Sequence, residues 1–503
     1  MGLLAQKAHQ ERPNSAGAYV RHRPETTLLY QIVQEYWPEF QAELASHGKH
    51  LPAYVTKEFD EYLKCGMLEH GFLRVRCETC HDEKLVAFSC KKRGFCASCG
   101  ARRMADSAAL LVDDILPSQP MRQWVLSFPF PLRFLFASNP KVMTRVLGIV
   151  YRGISTHLAH KAGFAKPLTQ TGAVTLIQCF GGSLNLNIHF HMLFLDGIYA
   201  DNKHGSSRFH WVKAPTSAEL TQLTHTIAHR VGRYLERQNL LARDDENNYL
   251  TAEGADTDNE SPLNHLLGSS ITYRIAMGPQ QGRKVFTLQT LPDCSDGPLA
   301  PRTGNVAGFS LHAGVTARAH ERDKLERLCR YIARPAVSTK RLSLTRNGQV
   351  RYELKTPWRN GTTHVIFEPL DFISRLVSLV PKPRVNLTRF HGVFAPNSKY
   401  RALVTPAKQG KGKKTRSSDE VQYQTSAEKR ASMTWAKRLK RVFNIDVETC
   451  SECDGDVRII ASIEDPVVIR TILTHFDEKG AFAADSLLPD CRASPDPPMG
   501  LLV

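Results

Sequence analysis

The decapeptide IHFHMLFLDG (188–197) decides the fold. In an extended strand, successive side chains point to opposite faces, so Ile188, Phe190, Met192 and Phe194 share one face. His189 and His191 share the other with Leu193 and Leu195. Both faces are apolar around the histidines, the pattern of a covered central strand. Outward from it, QWVLSF (123–128) and AVTLIQ (173–178) read as two further strands, and Lys141 to Ala162 as an amphipathic helix. Strand, helix, strand, strand in chain order predicts an α+β sandwich.

Two imidazoles enclosed in such a strand need hydrogen-bond partners or a metal. Bare H-x-H motifs are common, and many are packing residues. In a chain that acts on DNA, His189 and His191 gain a second meaning, because a divalent cation held between them would neutralise charge on a phosphoryl group under in-line attack. A third polar ligand is then required. Gln178 and Asp196 are the nearest candidates by position, and Asp196 has the opposite strand parity from the histidines. Downstream, ARAHERDKLERLCRYIARP (317–335) reads as a helix ending at Pro335, with Leu325, Leu328 and Ile332 on its buried stripe. Tyr331 lies at the edge of that stripe. It is either an amphipathic edge residue or a nucleophile brought to the metal-bound phosphate.

Five of the twelve cysteines fall between Cys77 and Cys99. Cys77-x2-Cys80 and Cys96-x2-Cys99, fifteen residues apart, have the double-knuckle spacing that delivers four thiolates to a tetrahedral zinc ion. The spacing predicts a structural site of Cys77, Cys80, Cys96 and Cys99, with Cys90 surplus. Cys450 and Cys453 form a lone third knuckle, with Cys491 the sole cysteine near them in sequence. Arg74, Arg76, Lys91, Lys92, Arg93, Arg102 and Arg103 crowd the segment and are read as a phosphate-contacting patch; the bland alternative is a solvated basic face.

The totals agree with a nucleic-acid partner. Over 503 residues, 66 Lys+Arg against 49 Asp+Glu give a formal charge of +17. No apolar run approaches the roughly 18 residues of a membrane span, and the N-terminus lacks a signal-peptide core, so a cytoplasmic, nucleoid-associated bacterial protein is expected. The chain divides by pattern into a helical region (1–64), a zinc-binding DNA-contact module (65–112) and a large α+β domain (117–404). An acidic insertion interrupts that domain at about 241–262. A Gly/Lys-rich basic linker (405–418) and a small C-terminal α/β module (419–503) follow.

SCKKRGFCASCGARRMAD (89–106), RQWVLSFPFPLR (122–133), SLNLNIHFHMLFLDGIY (183–199), LCRYIARP (328–335) and RFHGVFAPNSKYR (389–401) together resemble rolling-circle insertion-sequence transposases, including the insertion-sequence-common-region elements. The resemblance runs from about residue 60 to 405. It implies an N-terminal zinc-binding domain and a ferredoxin-like HUH nuclease core with helices on an antiparallel sheet. It also implies His189 and His191 as ligands of a catalytic Mg2+ or Mn2+, and Tyr331 as nucleophile. Some relatives carry two tyrosines four residues apart; here those positions hold Arg327 and Pro335, so this chain resembles the single-tyrosine type. The expected activity is nicking of single-stranded DNA at element ends through a 5′-phosphotyrosine, followed by strand transfer to target DNA. A plasmid replication initiator or relaxase would use the same chemistry. A non-catalytic zinc-dependent DNA-binding regulator would use the histidines and Tyr331 only for packing.

Overall fold

Residues 188–195 of the decapeptide belong to a ten-residue strand, Leu186–Leu195, that lies inside a seven-stranded sheet. The computed structural model describes residues 17–18, 23–201, 207–243, 248–250, 261–293, 303–408, 445–446 and 448–478. The chain forms two compact units. Unit 1 comprises Met1–Arg23, Cys65–Ser89 and Ser432–Arg492; unit 2 comprises Pro24–Lys64, Cys90–Ala431 and Ala493–Val503.

Unit 2 begins with α1 (Leu28–Ser46) and α2 (Ala53–Leu63). Thr27 caps α1 by accepting from the Tyr30 amide, and Trp37 stacks on Phe59 of α2 with ring centroids 3.9 Å apart. Helix α3 (Ala97–Ala109) leads to β1 (Met121–Ser127), which is followed by α4 (Pro140–Lys161), β2 (Gly172–Phe180) and β3 (Leu186–Leu195). After α5 (Ser217–Arg237) come β4 (Thr303–Val306), β5 (Phe309–His312), α6 (Arg322–Ile332) and β6 (Thr388–Gly392). The sheet order is β4-β5-β1-β3-β2-β6, with Thr316–Ala317 also paired to β1, and each neighbouring pair is antiparallel. Strands β1 and β2 thus run parallel on either side of β3, joined through α4.

The two faces of β3 are buried as its composition requires. On one side Phe190 packs edge-on against Phe128 at 4.9 Å, and Phe194 stacks on Tyr151 of α4 at 5.7 Å. Complete burial of a Phe190-sized side chain stabilises by about 1.5–3 kcal/mol. On the other side Val174, Leu176, Leu193 and Leu195 share a core with Leu325, Leu328, Cys329 and Ile332 of α6 and Ala108 of α3. The histidine face therefore lies beneath the tyrosine-bearing helix.

Besides a short parallel pair, Gly17–Ala18 with Ile445–Asp446, the described residues of unit 1 include a three-stranded antiparallel sheet in which Phe72–Cys77 lies between Glu83–Ala87 and Val457–Ile463. The helix Pro466–Glu478 covers it, started by Asp465, whose carboxylate accepts from the Val467 and Val468 amides. Leu68, Phe72, Leu85 and Ile469 form its core.

The α+β class with a cysteine-rich module is as the sequence predicts. The boundaries differ in three places. The expected module 65–112 and tail 419–503 are not separate units, because residues 65–89 group with 432–492 whereas residues 90–112 belong to unit 2. Part of the expected acidic insertion is a hairpin, Leu241–Arg243 paired with Asn248–Leu250. Helix α6 starts at Arg322 rather than 317, because Thr316 and Ala317 pair with Arg122 and Met121 as strand. Most of the expected basic linker, the MTWAKRLKRVF segment and Cys491 lie outside the described residues. Among the described residues no helix is long and apolar enough to cross a membrane.

Candidate active site and thiol groups

Strand β3 delivers His189 and His191 to one face, and their Nε2 atoms point at each other 3.1 Å apart. Each Nδ1 is engaged behind. His189 Nδ1 donates to the Asn187 carbonyl at 2.8 Å, which leaves its Nε2 as the lone-pair nitrogen. His191 Nδ1 meets the Gln123 carboxamide at 2.7 Å. The Gln123 Oε1 is buried without a partner. Turning that carboxamide over places Oε1 on an Nδ1–H and frees the second Nε2 lone pair toward the same point. Burial pushes His189 down to about 4; Arg334 and Arg133 add to the shift and the Asn187 carbonyl opposes it. Burial, with His189 and Arg334 alongside, holds His191 well below its ordinary value. Neutral imidazoles with convergent nitrogens and hydrogen-bonded backs are the donor set a divalent cation takes.

Gln178 and Asp196, the two candidates for a third ligand, have different surroundings. Gln178 is directly opposite His189 in the β2–β3 register and therefore on the same face. Its Oε1 is buried and unpartnered, and its Nε2 donates to the Ile332 carbonyl at 2.8 Å. Asp196 instead forms a two-bond ion pair with Arg122, both contacts 2.8 Å, and is used up there.

Tyr331, on the last turn of α6, sets its ring at right angles to that of His191 with centroids 6.4 Å apart. Two cations flank the phenol: the Arg334 guanidinium lies 4.2 Å and Lys355 Nζ 4.7 Å from the ring centroid. Arg334 Nη1 is buried without a partner. Arg334 also lines a cleft of about 300 Å³ with Arg93, Arg103, Gln178 and Phe180. Gln123 and Lys355 were not singled out from sequence. Gln123 is a buried polar side chain inside a largely apolar strand, a signal that becomes readable only once the register against β3 is known.

The thiols do not group as the spacing predicts. Cys77 and Cys80 meet Cys450 and Cys453, all four sulfurs lying within 4.8 Å of one another in unit 1. Cys96 and Cys99 meet Cys90, the residue left over in the sequence reading; the Cys90 and Cys99 sulfurs are 3.5 Å apart. The correction follows from topology: Phe72–Cys77 pairs with Val457–Ile463, which carries the distant knuckle to Cys77. The basic patch is likewise divided, with Arg74 and Arg76 in unit 1 and Lys91, Lys92, Arg93, Arg102 and Arg103 in unit 2. Arg74 is paired with Glu83 at 2.6 Å, Arg93 donates to the Val385 and Lys382 carbonyls, and Arg103 to those of Lys91 and Lys92. Arg76, Lys91 and Arg93 are exposed.

Helix α3, which carries Cys99 and has Cys96 as its N-cap residue, supports the tyrosine helix directly. A Cβ at Gly100 would fall 2.6 Å from Pro335 Cβ, so the absence of a side chain lets the exit of α6 rest on α3.

Two family comparisons identify a DNA transposase. Residues 172–401 match the family described as "Putative transposase", and residues 32–128 match "Transposase zinc-binding domain". The chain belongs to the IS91-type transposases with an N-terminal zinc-binding domain, and its clustered thiols suit structural zinc. No curated protein and no solved structure matches it.

Proposed function

We propose that this transposase is a single-tyrosine HUH nuclease that nicks single-stranded DNA at the ends of its element and transfers the strand by rolling-circle transposition. The observation that carries the reading is the convergence of two neutral, back-bonded histidine Nε2 atoms beneath the helix that bears Tyr331.

His189 and His191 would hold Mg2+ or Mn2+, with Gln178 Oε1 as third ligand; when bound, the ion supplies charge neutralisation at the scissile phosphate. Tyr331 Oη attacks phosphorus and loses its proton to solvent, while the bond to the 3′ oxygen breaks and that oxygen takes up a proton. The products are a 5′-phosphotyrosine and a free 3′-hydroxyl. Attack of a target strand's 3′-hydroxyl on the same phosphorus reverses the step and restores the phenol. Arg334 and Lys355 favour the charge that builds on the phosphoryl oxygens. With one tyrosine in the site, a second cleavage waits for this regeneration or for another protomer. Arg74, Arg76, Lys91, Lys92, Arg93, Arg102 and Arg103 are the proposed phosphate contacts.

The test incubates purified protein with Mn2+ and labelled single strands from its own element's ends. A covalent adduct that survives denaturation is expected for wild type, and none for Tyr331→Phe or His189→Ala/His191→Ala. Binding without an adduct on any end sequence or metal would return the site to a packing role.

A further inference from the structure

The matched zinc-binding domain ends at residue 128, yet the thiols that complete the Cys77/Cys80 group come from Cys450 and Cys453. We infer that Cys77, Cys80, Cys450 and Cys453 bind a single zinc ion that fastens the N-terminal knuckle to a C-terminal one within unit 1, so that both ends of the transposase build one zinc module.

The sulfurs have the spacing of ligands rather than of bonded or merely adjacent cysteines. Cys77 and Cys453 sulfurs are 3.5 Å apart, and those of Cys80 and Cys450 are 3.6 Å apart. Four thiolates at a Zn–S distance of about 2.3 Å around a tetrahedral ion stand about 3.8 Å from one another. A disulfide would require about 2.05 Å.

The two knuckles also repeat each other's backbone. The first cysteine of each donates its amide to the carbonyl five residues on, Cys77 to Asp82 and Cys450 to Gly455. The amide two residues on points at that cysteine's sulfur, Thr79 at Cys77 (3.4 Å) and Glu452 at Cys450 (3.5 Å). The residue after the second cysteine is left-handed in both, His81 at φ 61° and Asp454 at φ 56°. A left-handed step after the second cysteine turns the chain back so that both sulfurs face inward. Two such knuckles face to face present four thiolates to one point. Gly455 permits the approach, since a Cβ there would lie 2.4 Å from Thr79 Oγ1.

The cause of this meeting lies in the sheet. Cys77 ends the strand that pairs with Val457–Ile463, and Cys77 is opposite Val457 in that pairing. Among the described residues the apolar core of unit 1 is small, four buried residues with partly buried neighbours, so a metal clip has much to contribute here. Binding expels the thiol protons to solvent and changes no oxidation state.

The test measures zinc per chain on the full-length protein. Cys450→Ser/Cys453→Ser is expected to lose one zinc relative to wild type, Cys77→Ser/Cys80→Ser the same one, and the fourfold variant no more than either. Wild-type zinc content in Cys450→Ser/Cys453→Ser, or a loss of two ions in the fourfold variant, would overturn the inference. Should the variants fail to fold, alkylation of wild type during chelator titration decides it. Cys77, Cys80, Cys450 and Cys453 should become reactive together at one chelator concentration. Reaction of Cys450 and Cys453 in zinc-loaded protein, with Cys77 and Cys80 still protected, would reject the shared ion.

Discussion

The Gln178 side chain donates to the Ile332 carbonyl at 2.8 Å, joining the strand opposite His189 to the turn of α6 that carries Tyr331. One residue thereby ties the helix that bears Tyr331 to the histidine face. Its remaining oxygen is buried without a hydrogen-bond partner and is the proposed third ligand. Gln178→Leu removes the bond and leaves the Ile332 carbonyl buried and unpartnered. Misplacing a nucleophile by about 1 Å costs on the order of 10²-fold, and adduct formation at saturating Mn2+ should slow by that order. An unchanged rate at saturating metal would show that the tether does not position Tyr331.

In the proposed metal site Gln123 would act one step behind the ion, through its hydrogen bond to His191 Nδ1. Loss of such a partner lowers metal affinity by about 10- to 100-fold while leaving the ligands in place. For Gln123→Ala the Mn2+ concentration needed for half-maximal adduct formation should rise by that factor, with the rate at saturation near wild type. A metal titration that overlays the wild-type curve would remove Gln123 from this role.

The strand around the histidines was legible because both its faces are apolar, a property local to ten residues. The position of Tyr331 at the edge of a helix's buried face was legible for the same reason, from the stripe of Leu325, Leu328 and Ile332. The pairing of knuckles was not. C-x2-C spacing fixes how two thiols face one point but says nothing about which other pair shares it, and Cys450 is 370 residues from Cys80. Gln123 and Asp196 depended on register. Strand pairing across β1 and β3 places Gln123 beside His191 and Asp196 against Arg122, and no local pattern encodes that alignment.

The Arg122–Asp196 pair is structural. Both side chains are almost wholly enclosed, at 4 % and 6 % exposure, and Arg122 also donates to the Ala313 carbonyl. Removing one partner strands a buried charge at a cost of about 3–5 kcal/mol. Asp196→Ala should lose about that much in urea unfolding, whereas Arg122→Met/Asp196→Leu should recover most of it. The folded fraction of Asp196→Ala should keep the wild-type Mn2+ dependence. A large shift in metal affinity with little loss of stability would instead make Asp196 a ligand.

Gly100 tests whether the cysteine-bearing helix supports the chemistry as well as the fold. Pro335 lies four residues beyond Tyr331, and its Cβ would be 2.6 Å from a Cβ at position 100, with its Cα at 3.3 Å. Neither atom belongs to a flexible side-chain end, so a methyl group must push α3 and the exit of α6 apart. Overpacking of this kind costs about 1–3 kcal/mol. Gly100→Ala should therefore unfold at lower urea and form its adduct more slowly, with wild-type zinc content because no thiol is touched. A variant with lowered stability and an unaltered adduct rate would place the strain away from Tyr331. A slower adduct with full zinc would show that α3 holds the nucleophile through packing and not through the metal alone.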